Sequence, residues 1–254
     1  KEAQEIAESG QKEIVITGIN TGDFGHTTGE RFIDLLRALD KVEGIERYRI
    51  SSIEPNLITD EIIEFCASSP RFMPHFHIPL QSGSTHILGL MRRRYTADKY
   101  RERIAKIREL MPDSFLGVDV IVGFPGEGEA EFMETYRLLE EVEASFLHIF
   151  PFSERPGTPA VTMPNKVQSS ISTERVSRLE ELSNRLHNSF ANRYLNTTRK
   201  VLFESTVKDG IMFGYTDNYL RVKAQYDASQ INHICNVYLR EIDSDGDIIG
   251  EIIG

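Results

Sequence analysis

The chain has 254 residues, 40% hydrophobic and 27% charged, with 29 Lys+Arg against 39 Asp+Glu for a formal charge of -10. That is enough chain for one large core or for a large domain plus a small one, and the acidic excess excludes a protein that holds nucleic acid by bulk charge. Two cysteines, Cys66 and Cys235, exclude a disulfide scaffold and any site built from three or four thiolates of this chain.

No run approaches the roughly 18 apolar residues of a transmembrane helix, and no signal-peptide pattern opens the sequence, so no membrane role is expected and the location is read as cytoplasmic. The opening KEAQEIAESGQ reads as the tail of a helix stopped by Gly10. A start inside an element is expected of a piece of a longer chain.

From residue 12 to about 150, strands alternate with helices. EIVITGI (Glu13 to Ile19) is a near-continuous apolar run, expected to be a strand buried on both faces. Phe32, Ile33, Leu35, Leu36, Leu39 and Val42 share one face of a helix over 30–42. A strand follows at 46–55, then a short helix at 60–67 with Thr59 as its N-cap. HFHIPL (75–80), LGVDVIVGF (116–124) and SFLHIFPF (145–152) are the next strands. A helix capped by Thr96 and another over 129–142 lie between them. Strand starts at 13, 46, 75, 116 and 145 are separated by 33, 29, 41 and 29 residues. That is βα-unit spacing, which predicts parallel strands with right-handed crossovers.

Residues 153–172, with Pro156, Pro159 and Pro164, read as an extended loop, and a long helix is expected from Thr173 to about Leu195. From Lys200 the period becomes two, which predicts a small antiparallel β domain of barrel size. The fold class is therefore α/β. The expected domains are 1–172 (parallel strands and helices), 173–196 (linking helix) and 197–254 (β domain).

Reactive groups gather at the C-terminal ends of parallel strands. Here those ends read TGINTGDFG, SSIEPN, PLQSGSTH, GFPGEGE and PFSERPGT, and all five together favour one composite pocket. Gly123 and Gly126 let backbone approach a ligand closely. GFPGEG lacks the Lys-Ser/Thr pair of a phosphate-binding P-loop. His75 and His77 share a strand face; without a third ligand of equal quality they read as inward hydrogen-bonding or packing residues, and no metal site is assigned. Glu54 and Asp119 are either a carboxylate pair for acid–base work or separate hydrogen-bond acceptors. Arg92, Arg93 and Arg94 read as a solvated or anion-facing loop.

Taken in order, HIPLQSGSTHILGLMRRRYT, DVIVGFPGE and FPFSERPGTPA resemble segments of the radical S-adenosylmethionine methylthiotransferases that modify tRNA. RISSIEPN together with TGINTGDFG is most similar to the branch that acts on N6-threonylcarbamoyladenosine beside the anticodon. The resemblance implies a partial (β/α) radical-SAM barrel, a C-terminal domain like the RNA-binding TRAM barrel, S-adenosylmethionine as cofactor and tRNA as partner. It also implies positions. Thr17, Gly18 and Asn20 fall at the methionyl end of the cofactor, with Ser52 and Glu54 facing the same pocket. Gln81 and Ser82 fall near its carboxylate or ribose. Ile121, Gly123 and Gly126 fall where backbone packs on adenine, with Asp119 on the same strand. Phe150 and Arg155 fall toward the substrate, and no catalytic residue is assigned.

The family holds a [4Fe–4S] cluster on Cys-x3-Cys-x2-Cys and a second cluster in an N-terminal domain. Neither motif is in this sequence, so no cluster is expected here and the piece is expected to be inactive alone. In the intact enzyme the resemblance implies a 5′-deoxyadenosyl radical, sulfur insertion at adenosine C2, and methyl transfer. Gly128 departs from the family's usual Thr after GFPGE. Rival readings are a relative acting on isopentenyladenosine or a ribosomal protein, and a non-enzymatic RNA-binding module. Residues 197–254 hold six Lys+Arg and nine Asp+Glu, net -3, so RNA contact is expected to be a local patch. The strand edge at Glu13–Ile19 is an expected self-association site.

Overall fold

The expected alternation forms in the computed structural model, which describes residues 1–25 and 27–253. In chain order the elements are α1 (Glu2–Glu8), β1 (Glu13–Ile16), α2 (Phe32–Leu39), β2 (Arg47–Ser52), α3 (Asp60–Ser68), β3 (Phe72–His77), α4 (Thr85–Leu90), α5 (Ala97–Leu110), β4 (Phe115–Val122), α6 (Glu129–Glu141), β5 (Phe146–Pro151) and α7 (Ser169–Asn192). β6 (Thr198–Lys208), β7 (Ile211–Thr216), β8 (Arg221–Gln225), β9 (Ile234–Ile242) and β10 (Ile248–Ile252) follow. Thr59 and Thr96 cap α3 and α5, their side chains accepting from the Ile62 and Lys99 amides.

β1 to β5 pair in sequence order, all parallel. One face of this sheet carries the apolar phase of each strand: Ile50, Phe76, Val118, Val120 and Leu147 pack with Leu36, Ile63, Tyr100, Ile107 and Leu139 of the helices. The opposite, inner phase is polar or open. Val15 is 48% exposed, which corrects the expectation that the first strand is buried on both faces. The reason is one-sided cover: the helices mask only one face of this sheet.

The long helix begins at Ser169 rather than Thr173. The Thr173 hydroxyl donates back to the Ser169 carbonyl, the i−4 bond of a residue already inside a helix. α4 was not anticipated; at six residues it is too short to show a period. α7 belongs to both cores. Leu179 and Leu182 pack under the parallel sheet, while Phe190 and Ala191 pack with Val201, Phe203, Met212, Val222 and Leu239 of the C-terminal strands.

Those five strands pair in the order β10-β8-β7-β6-β9, and β9 pairs back with β10 so that the order closes on itself. The sheet is mixed rather than wholly antiparallel, because β8 and β10 run parallel.

Two arginines of β2 join the units. Arg47 donates to the carbonyls of Tyr215 (3.0 Å) and Lys200 (2.8 Å), and Arg49 to those of Thr216 and Asp217 (both 2.8 Å). Arg49 also donates to Glu13 Oε1 at 2.8 Å and lies over the Tyr219 ring. Burial pulls the Arg47 pKa down to about 10, with repulsion from Arg49 adding to it.

Candidate functional site

The turns after the strands are tied to one another. Asn20, in the loop after β1, accepts from the Glu54 amide through Oδ1 at 3.3 Å and donates to Asp23. Thr21 donates to the Ser52 carbonyl at 2.9 Å. The first two strand ends therefore share one hydrogen-bonded junction, with Thr17 and Gly18 exposed beside it. Glu54 takes Arg93 across this junction at 3.2 Å, so one arginine of the Arg92–Arg94 run is an ion-pair partner and not a solvated charge.

After β3 the chain turns sharply. Gln81 has φ 65, a left-handed conformation that side-chain-bearing residues seldom adopt. It is held there by its amide donating to the Asp119 carbonyl (2.8 Å) and by its own carbonyl accepting from Ile121 (2.9 Å). This joins Gln81, Asp119 and Ile121 at the β3–β4 ends. The Ser82 hydroxyl is fully buried, accepting from the Ser84 amide and facing Thr135 at 3.4 Å; it braces the turn against α6.

After β4, Gly123 (φ +82) and Gly126 (φ +94) both need the left-handed region. The Gly123 amide donates to Glu127 Oε1 at 3.0 Å, and Arg175 of α7 donates to that same oxygen at 2.8 Å. Burial raises the Glu127 pKa, against the Gly123 and Arg175 bonds that favour its charge. A cavity of about 460 Å³ lies here, lined by Gly123, Pro125, Phe152, Glu154, Lys166 and Ser172. Arg155 and Phe150 are exposed nearby on the β5 end and its loop.

Glu54 and Asp119 each have their own hydrogen-bond partner, Arg93 for Glu54 and His77 for Asp119. His77 Nε2 lies 2.7 Å from Asp119 Oδ1. His148 completes the group, its ring centroid 5.1 Å from that of His77. His148 was missed in the sequence, though it shares the phase of Phe146 and Phe150 along β5, which was the available signal. His77 and His148 line the inner face of the sheet, beside a cavity of about 710 Å³ shared with Asn184 and Asn188 of α7 and with Tyr215 and Tyr219. His75, deeper on β3, packs tilted against the Tyr219 ring, centroids 4.1 Å apart, and burial drives its pKa well down, so it is a neutral packing group at pH 7.

Cys66 sits in the first core, where burial pushes its thiol up, and Cys235 lies in β9 of the other unit. They share no site, and two thiolates do not fit a [4Fe–4S] cluster.

Polar turns at the ends of a parallel sheet, helices on one face and a separate mixed β unit define a class, and the family model of the radical SAM superfamily matches residues 1–139. The threonylcarbamoyladenosine tRNA methylthiotransferase MtaB of Bacillus subtilis is 44% identical over 243 residues, 93% of this chain and 54% of that protein. Its namesake in Thermotoga maritima is 38% identical over 97% of this chain and 56% of that protein. A tRNA-2-methylthio-N(6)-dimethylallyladenosine synthase of Thermobifida fusca is 43% identical over 73% of this chain and 38% of that protein. Among solved structures, coproporphyrinogen III oxidase of Escherichia coli, a radical SAM enzyme, superposes with a TM-score of 0.54 at 14% identity, over 72% of this chain and 44% of that one. That likeness concerns the fold alone. The chain belongs to the radical SAM superfamily and, within it, to the tRNA methylthiotransferase family. It spans about half the length of the curated relatives it matches.

Proposed function

We propose that this chain is the cofactor- and RNA-positioning part of a cytoplasmic tRNA methylthiotransferase acting on N6-threonylcarbamoyladenosine next to the anticodon. The observation that carries the reading is the similarity to two proteins of that printed activity over more than nine-tenths of the chain. In this reading β1–β5 are most of a radical-SAM barrel and β6–β10 are a TRAM-like barrel that meets tRNA.

S-adenosylmethionine supplies the one-electron oxidant, once an iron–sulfur cluster reduces it, and the transferred methyl group. The strained Gln81 turn and the left-handed Gly123 and Gly126 support a fit, since they hold the strand ends in tight turns, with a cavity of about 460 Å³ beside Gly123. Thr17, Gly18 and Asn20 take the methionyl end, and Ser52 and Glu54 close the same side. Gln81 orients the carboxylate or ribose, with Ser82 bracing its turn. Asp119 acts through the carbonyl that fixes Gln81. Ile121, Gly123 and Gly126 receive the adenine, and Phe150 and Arg155 face the substrate.

The cluster ligands lie outside these residues, so the test uses the full reading frame with its clusters reconstituted. Incubated with S-adenosylmethionine and tRNA bearing either hypermodified adenosine, it is expected to methylthiolate the threonylcarbamoyl form. Modification of the isopentenyl form alone, or of neither, contradicts the reading.

A further inference from the structure

We propose that His77, Asp119 and His148 form a binding site for a single first-row divalent cation on the inner face of the parallel sheet. The three residues come from neighbouring strands: β3 supplies His77, β4 Asp119 and β5 His148. Each offers one ligand atom, and all three atoms lie within 4.8 Å of one another. Bond lengths of about 2.0–2.2 Å would set these atoms roughly 3.3 Å apart around a tetrahedral ion. The strands fix the Cα positions, so reaching that spacing falls to side-chain rotation, with His77 and Asp119 opening from 2.7 Å. Register supports this. Asp119 pairs directly with His148 across β4 and β5, and His77 pairs with Gly117, two residues before Asp119 on the same face.

The 2.7 Å His77–Asp119 hydrogen bond already brings two of the three ligand atoms together, and a bound cation takes the place of its hydrogen.

Two imidazoles and one carboxylate suit Zn²⁺, Fe²⁺ or Co²⁺ and not the oxygen-seeking Mg²⁺ or Ca²⁺. His148 is exposed to the cavity of about 710 Å³, so the remaining coordination positions face space and not protein. Three protein ligands with an open position are the pattern of a site that takes water or an exogenous N- or O-donor ligand, and not of a closed structural site. Cys66 and Cys235 contribute nothing to it. The site adjoins the cofactor pocket proposed above and shares Asp119 with it: the Asp119 carbonyl fixes the Gln81 turn, while its carboxylate meets His77.

The test is cobalt titration of the tag-free chain after chelator treatment. The expected result is a visible d–d absorption that saturates at one equivalent, shows no thiolate charge-transfer band and is displaced by Zn²⁺. H148A and D119N are each expected to weaken binding about tenfold or more. H148Q, at the same exposed position, serves as a second variant, and thermal melts show that each variant is folded. Absence of binding up to millimolar cobalt overturns the proposal. So does a thiolate band, or binding of undiminished strength in the folded His148 and Asp119 variants.

Discussion

Arg49 is fully buried, and its guanidinium serves Glu13, two carbonyls of the C-terminal unit and the face of Tyr219. Truncation leaves those acceptors buried without a donor, so R49A is expected to cost about 3–5 kcal/mol in urea unfolding. R49K is expected to recover little of this, because one ammonium nitrogen cannot stand where Nε, Nη1 and Nη2 separately meet Glu13, Asp217 and Thr216. Asp217, whose carbonyl accepts from Arg49, carries a pH-dependent ion pair beside this interface. Burial raises its pKa, but the two bonds from Arg199, each 2.8 Å, outweigh that and hold it below its usual value of 3.8. Its contribution is therefore full above that value and is lost as the pH falls through the lowered one. D217N is expected to flatten this acid limb and to cost about 1–3 kcal/mol at neutral pH, read from urea midpoints across the pH range. Neither arginine of β2 stood out in the sequence. Alternating charges along a strand read as a solvent face, and only the docked β unit turns that face into an interior one. The inward hydrogen-bonding role of His77 was legible from its phase. Its partner was not, because nothing local relates residue 77 to residue 119.

Among the elements, the loops after β3 and β4 decide how tightly the pocket is held. A Cβ on Gly83 would lie 2.5 Å from Thr135 Cα and 2.9 Å from its amide nitrogen, both backbone atoms of α6. G83A must push α6 away from the QSGS turn and is expected to cost about 1–3 kcal/mol. Gly126 contrasts with it. Its Cβ would press only on the side-chain end of Leu90 at 2.9 Å, with Ile87 in ordinary contact at 3.9 Å, so G126A bears mainly the left-handed strain, about 1–2 kcal/mol. Thermal melts of the two variants are expected to rank them in that order. The element pattern itself was largely readable, since hydrophobic phase and βα spacing are local properties. What escaped was set by packing: α4 is too short for a period, α7 starts a turn before its expected cap, and the β8–β10 pairing runs parallel because a crossover joins strands distant in sequence.

On the scale of the whole molecule, α7 and the Arg47–Arg49 latch fix the C-terminal strands against the sheet that carries the candidate pocket. The proposed tRNA contact must work against a net charge of -3 over residues 197–254. Affinity of this chain for tRNA is accordingly expected to be weak and to fall steeply with salt, measured by fluorescence anisotropy at low and physiological ionic strength. Binding that ignores salt contradicts a phosphate-directed patch. The modification itself is read by nucleoside mass spectrometry of tRNA from a strain deleted for the encoding gene. The prediction is that 2-methylthio-N6-threonylcarbamoyladenosine disappears, its unmethylthiolated precursor accumulates, and the isopentenyl counterpart is unchanged. An unaltered level of the methylthiolated threonylcarbamoyl nucleoside would contradict it.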